Sequence, residues 1–274
     1  MAILQVSLFS NSLMRTVPVT VILPVDKSEN TKQEPKEYPT LYLLHGILGS
    51  SLDWLSGTRI ERWAMEHDLC VVMPSGDNAF YVDRKGSNNL YGQFIGEELV
   101  ELTRKMFPLS RKREDTFIGG LSMGGFGALR AGLKYHQTFG AICALPAAIE
   151  VEGYAKRTND NELFFLNRSY VEECFGDLSN VLESDNNPKY LVKKLASEGA
   201  IFPNIYMCCG NNDLLLKNNQ DFSDYLTKFD VKHKFVIGEG AHEWDFWDTY
   251  IKKVIEWLPL AKGSTGINSG NVGI

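Results

Sequence analysis

The chain has 274 residues, 44% hydrophobic and 23% charged, with a formal net charge of −6. That length suits one α/β domain around a single large core, and the composition is ordinary for a globular protein. The negative balance argues against a surface built for nucleic acid or an anionic membrane, since both need clustered Lys and Arg.

The N-terminal stretch MAILQVSLFSNSLMRTVPVTVILP alternates as a strand does, and it lacks the basic start and small-residue cleavage site of a signal peptide. It predicts a hairpin of LQVSLFS (4–10) with VTVILP (19–24), followed by the polar loop SENTKQEPKEYP. Six further short apolar runs follow: TLYLLHG (40–46), LCVVMP (69–74), TFIGG (116–120), GAICALP (140–146), NIYMCCG (204–210) and KFVIGEG (234–240). They are apolar throughout and bounded by turn residues, the pattern of parallel strands buried on both faces. No apolar run approaches the ~20 residues that cross a bilayer.

Helical patterns lie between the strands, at 59–66, 92–107, 123–135, 218–229 and 244–258. In 92–107, Ile95, Leu99, Leu102 and Met106 share one face, while Glu97, Glu98, Glu101, Arg104 and Lys105 face out, with Glu101 and Lys105 as an i,i+4 pair. Strand–helix alternation of this kind predicts an α/β fold: a mostly parallel central sheet of about eight strands with helices on both faces. The domain is expected to span 1–262, with 147–200 inserted near the site and the small, polar tail 263–274 flexible. RKR at 111–113, beside Glu114 and Asp115, reads as a solvated loop rather than a phosphate patch. The five cysteines, Cys70, Cys143, Cys174, Cys208 and Cys209, have neither disulfide nor metal spacing. Reduced core thiols in a cytoplasmic protein are the simplest reading.

The stretch GGLSMGGFGALRAG follows one of the strands and opens a helix, and within it Gly120-Leu121-Ser122-Met123-Gly124 fits G-x-S-x-G. The alternative is a glycine-rich phosphate loop, but neither G-x-G-x-x-G nor G-x-x-x-x-G-K-[ST] occurs there. On a strand-to-helix turn this tight, Ser122 is a candidate nucleophile; Gly120 and Gly124 permit the turn, and Gly125 and Gly127 let the helix start sit close to the sheet. A serine needs a base. Of the five histidines, only His45 and His242 fall at carboxyl ends of strands, where open α/β sheets place their sites. The order Ser, acid, His selects His242. Asp213, in GNND after its strand, is the candidate acid; the alternative is that it only caps the next helix, and Asp221 and Asp224 lie further along that helix. The loop LLHGILGSSLDW supplies a second oxyanion donor, Ile47 N–H beside Met123 N–H, with Leu48 N–H as the alternative and His45 bracing the loop. Trp54, Phe80, Tyr81 and part of 147–200 are the candidate pocket lining, with core packing as the competing role of each aromatic ring.

Taken together, HGILGSSLDW, MPSGDNAFYVD, GGLSMGGFGALR, CGNNDLLL and GAHEWDFW resemble the esterase D family, most closely its bacterial tributyrin, acetyl and feruloyl esterase branch. S-formylglutathione hydrolases and mycolyltransferases are more distant relatives. The resemblance covers about residues 3–260. It implies an α/β-hydrolase fold with Ser122 as nucleophile, Asp213 as acid and His242 as base. It implies hydrolysis of short-chain acyl esters (acetyl, butyryl, feruloyl or other hydroxycinnamoyl) without cofactor or metal, and a homodimer or higher homo-oligomer as a common state. The branch often carries Trp near the MPSG segment, where this chain has Phe80 and Tyr81. S-formylglutathione hydrolases carry HSMGGHGA, where this chain reads LSMGGFGA. Such folds serve as binding proteins where the triad is broken; here all three members are present.

Overall fold

The computed structural model describes residues 1–27 and 36–261; the predicted flexible tail and most of the polar loop after the hairpin lie outside them. Eight strands form one sheet: β1 (Ala2–Ser10), β2 (Arg15–Leu23), β3 (Thr40–Leu44), β4 (Cys70–Pro74), β5 (Thr116–Ser122), β6 (Ala141–Ala147), β7 (Asn204–Gly210) and β8 (His233–Gly238). Their order is β1-β2-β4-β3-β5-β6-β7-β8. The hairpin pairs antiparallel, β2 pairs antiparallel with β4, and every later pair is parallel.

Each central strand is buried on both faces, which explains its unbroken apolar sequence. In β3, Tyr42 and Leu44 pack into one core and Leu41 and Leu43 into the other. Helices α1 (Ile60–Glu66), α2 (Leu99–Met106), α3 (Met123–Lys134), α4 (Arg168–Phe175), α5 (Pro188–Ser197), α6 (Leu216–Lys228) and α7 (Trp244–Trp257) complete the layers. Residues of α2, α3, α5 and α6 fill the first core; those of α1 and α7 fill the second. None of the described helices is long and apolar enough to cross a membrane.

Two expectations change. The 92–107 helix is broken by a π-turn at Phe94–Glu98, which inserts an extra residue per turn and shifts the face beyond it. Met106 is therefore exposed, and Glu98 turns inward to accept from Ser10 Oγ at 2.6 Å and from the amides of Asn11 and Ser12 at the hairpin tip. Glu101 pairs with Arg104 and Arg111 rather than Lys105. The 147–200 segment is also not uniform. Its last helix, α5, starts on Pro188, is capped by Asn187 accepting from Lys189 N–H at 3.1 Å, and packs on α3 as an ordinary sheet-covering helix. The part before it, with α4 and several short turns, carries Tyr154, Tyr170 and Phe175 onto Phe80 and lies at the carboxyl ends of the strands.

Arg113 is tied down rather than freely solvated: its Nε donates to His136 O at 2.7 Å. All five cysteines are buried and free, and burial alone pushes the Cys143 thiol well up.

Candidate active site

Ser122 is the last residue of β5 and the cap of α3, at φ 54°, ψ −117°. A non-glycine residue there costs of order 1–3 kcal/mol and persists only where its surroundings enforce it. The enforcement is backbone against backbone. A Cβ on Gly120 would sit 2.4 Å from Gly124 O, and one on Gly124 would sit 2.4 Å from Leu44 O and 2.6 Å from His45 O. The start of α3 can therefore press on β5 and the end of β3 only because both residues are glycine. The pairing of β5 with β6 shifts register between Gly120 and Ser122, which marks the point where the strand turns away. Gly125 meets Pro146 O of the sheet as expected, but Gly127 faces the ring of Tyr81 instead.

Asp213 sits in the turn after β7 with no exposed side-chain surface. Its Oδ1 accepts from Leu215 N–H at 2.8 Å and its Oδ2 accepts from His242 Nδ1 at 2.8 Å. Oδ1 thus closes a turn just ahead of α6, whose cap is Leu215 with no side-chain bond, while Oδ2 holds the imidazole. With Nδ1–H given to the carboxylate, Nε2 of His242 is left as a proton acceptor. The His242 ring stands edge-on to Trp247 of α7, with centroids 5.0 Å apart. The turns that carry acid and histidine are stitched together: Asn211 N–H donates to Gly238 O at 2.8 Å, Asn212 N–H to Gly240 O at 3.0 Å, and Gly240 N–H to Asn211 Oδ1 at 3.2 Å. Asp221 and Asp224 lie within α6, and Asp221 pairs there with Lys217.

Ser122, Asp213 and His242 line one cavity of about 300 Å³, together with Ile47 and Met123. No hydrogen bond joins Ser122 Oγ to His242; such pairs commonly tighten only in the substrate complex. Met123 is the first residue of α3, so its N–H has no intrahelical partner and lies at the positive end of the helix. The N–H of Leu48 is taken by Asn78 Oδ1 at 2.8 Å, whereas Ile47, the other loop residue weighed as a donor, lines the cavity. His45 is buried and braces that loop: its Nε2 accepts from Gly76 N–H at 2.8 Å, so Nδ1 is the protonated nitrogen and donates to Gly46 O at 2.6 Å. Burial holds its pKa below the ordinary histidine value, so it stays neutral.

Of the three aromatic rings expected at the pocket, only Phe80 lines it. Trp54 is 1% exposed, packs edge-on to Trp244 and donates Nε1–H to Leu44 O at 2.9 Å. Tyr81 is fully buried between Gly76 and Gly127, with its hydroxyl on His45 O at 3.0 Å. Both are structural supports one layer behind the cavity. The remaining wall comes from Ala148, Glu150, Arg157, Phe165 and Leu166 and from Leu214 and Leu215 beside Asp213. Leu214 and Leu215 could have been inferred from CGNNDLLL, because they follow the acid directly. The Glu150–Arg157 ion pair could not, because nothing local distinguishes it from a surface pair. Among the described residues no His, Cys, Asp and Glu side chains cluster to hold a metal ion.

Residues 10–254 match the family model described as "Putative esterase". The chain is 41% identical over 261 residues to an acetyl esterase of Caldicellulosiruptor saccharolyticus, covering 94% of this chain and 98% of that protein. Among solved structures it resembles the substrate-bound fluorophosphonate-binding serine hydrolase F of Staphylococcus aureus, with TM-score 0.84, 33% identity and coverage of 94% and 98%. It also resembles an S-formylglutathione hydrolase of Staphylococcus aureus, with TM-score 0.82, 33% identity and the same coverage of both chains.

Proposed function

The chain belongs to the esterase family whose model spans residues 10–254, and from that membership we propose that it hydrolyses short-chain acyl esters through an acyl-enzyme on Ser122. The observation that carries this reading is the 2.8 Å bond from His242 Nδ1 to buried Asp213, facing the cavity that holds Ser122. His242 Nε2 takes the Ser122 proton as Oγ attacks the ester carbonyl. The amides of Ile47 and Met123 hold the oxyanion, and each such donor is typically worth about 10²–10³ in rate. His242 then protonates the departing alkoxide, and water repeats the sequence on the acyl-enzyme to release the acid. The balance is ester plus water to acid plus alcohol, so no cofactor is consumed.

The cavity supports a small acyl group. About 300 Å³ is at the lower end for ligand sites, and Ile47, Phe80, Met123, Leu166 and Leu215 make it largely apolar. The 41% identity to a protein named acetyl esterase supports an acetyl group in this reading. Phenolic acyl groups such as feruloyl belong to the same reading where the wall at 148–166 yields. A homo-oligomer in the cytoplasm is the accompanying proposal, supported by five buried free thiols for the compartment and by the family resemblance for the assembly.

A second reading, S-formylglutathione hydrolysis on the same residues, is favoured by the likeness to the staphylococcal enzyme so titled. One experiment separates them: turnover of p-nitrophenyl acetate, butyrate and octanoate, methyl ferulate and S-formylglutathione by wild type and by Ser122→Ala. The esterase reading expects acetate or butyrate to lead and Ser122→Ala to be inactive on all. A dominant S-formylglutathione rate selects the second reading.

A further inference from the structure

The turn that presents Ile47 N–H is held in a conformation its own sequence disfavours. Gly49 N–H donates to Gly46 O at 3.3 Å, closing a four-residue turn with Leu48 third at φ 65°. Ile47 is not among the positive-φ residues, so the turn has the type II pattern, whose third position favours glycine or asparagine. Leucine there is strained, and it is also 68% exposed, so packing does not hold it.

Two side chains hold it instead, and both are anchored just past β4. His45 fixes the peptide before Ile47: its Nδ1–H takes Gly46 O, and the Ile47 N–H points the opposite way across that trans peptide. Asn78 fixes the peptide after Ile47, since its Oδ1 accepts the Leu48 N–H at 2.8 Å. Relaxing Leu48 to negative φ would rotate that N–H away from Asn78 and rearrange the turn around Ile47. Asn78 is itself tethered, because its carbonyl oxygen accepts from Tyr170 hydroxyl at 2.7 Å and from Cys174 Sγ at 3.4 Å, both on α4.

We propose that Asn78 is a positioning residue for the oxyanion side of the reaction. It selects the strained turn that aims Ile47 N–H into the cavity, and α4 reinforces it. The inference rests on the Ser122 reading above. Because an oxyanion donor acts on the transition state, the signature is a loss in kcat with KM preserved.

The test is kcat, KM and melting temperature with p-nitrophenyl acetate for Asn78→Ala, Asn78→Asp and Tyr170→Phe. Asn78→Ala should lower kcat by about 10- to 100-fold, short of deleting a donor outright, with KM within about two-fold. Asn78→Asp retains an acceptor oxygen and should recover most of that loss. Tyr170→Phe should lower kcat several-fold at unchanged KM. Wild-type kcat in folded Asn78→Ala, a loss confined to KM, or an equal loss in Asn78→Asp would overturn the proposal. If Asn78→Ala does not fold, the other two variants decide, and wild-type kcat in Tyr170→Phe overturns it. A wild-type protein that neither turns over ester nor labels at Ser122 with a fluorophosphonate sinks the esterase reading instead.

Discussion

Asp213 holds His242 Nδ1 at 2.8 Å with one carboxylate oxygen and uses the other to receive the amide of Leu215 two residues on. The acid is therefore oriented by its own chain before the histidine is considered. Asp213→Asn keeps an acceptor for Leu215 but loses the charge and offers His242 the wrong tautomer. It should reduce kcat by roughly 10⁴ with little change in melting temperature. Asp213→Ala loses both contacts and should also destabilise the fold by about 1 kcal/mol. Steady-state kinetics and thermal melts on the two variants check this, and equal melting temperatures would contradict the shared role.

Ser122 offers a stability test that is independent of activity. Both Ser122→Ala and Ser122→Gly should be inactive and unlabelled by a fluorophosphonate. They should differ in stability, because alanine keeps the strain at φ 54° while glycine relieves it at some entropic cost. Ser122→Gly should be the more stable by about 1 kcal/mol. Denaturant unfolding with equal midpoints would show that the turn stores no such strain.

The two glycine environments make a matched pair. A Cβ at Gly124 meets Leu44 O at 2.4 Å, whereas one at Gly153 meets nothing within 4 Å. Gly124→Ala should cost about 1–3 kcal/mol and most of the activity, since it pushes the nucleophile turn off the oxyanion loop. Gly153→Ala, in the short helical turn Val151–Tyr154, should be neutral or stabilising by up to about 1 kcal/mol. The reverse ranking in thermal melts would be incompatible with this geometry.

His45 predicts a pH dependence of stability. Burial lowers its folded pKa, opposed by the Gly46 carbonyl, while in the unfolded chain it titrates near the ordinary value of about 6.5. Below that pH the unfolded state binds the extra proton, so stability falls as pH drops, by up to about 1.4 kcal/mol per pH unit until the folded pKa is reached. Above about pH 6.5 the contribution is complete. Melting temperature should decline from pH 7 to 5 in wild type, with a shallower decline in His45→Gln. Parallel slopes would remove His45 as the cause.

The sheet and the line of strand-end residues were legible because each rests on a local signal. A doubly buried strand needs an unbroken apolar run, and a strand-to-helix turn on Ser122 needs glycines at fixed offsets. Trp54 and Tyr81 were misplaced because a buried aromatic residue near a loop reads the same from sequence whether it faces a cavity or supports the layer behind it. Glu98 and Met106 were misplaced because the π-turn leaves no mark in helical periodicity. The wall formed by Glu150, Arg157, Phe165 and Leu166 went unread because a segment of short turns has no period to read. Asn78 was quoted within a motif without a role, since its partner Leu48 lies thirty residues away.

The three hydrogen bonds that stitch the turn after β7 to the turn after β8 also limit how this site can vary. Asp213 and His242 ride on one bonded unit, while Ser122 and the backbone of Ile47 and Met123 ride on another built from β3 and the loop after it, β5 and the start of α3. Small motions and peripheral substitutions that leave each unit intact act mainly on one coordinate, the gap between His242 Nε2 and Ser122 Oγ. Such changes should tune rate continuously, as a spacing does, whereas a change within either unit should switch activity off.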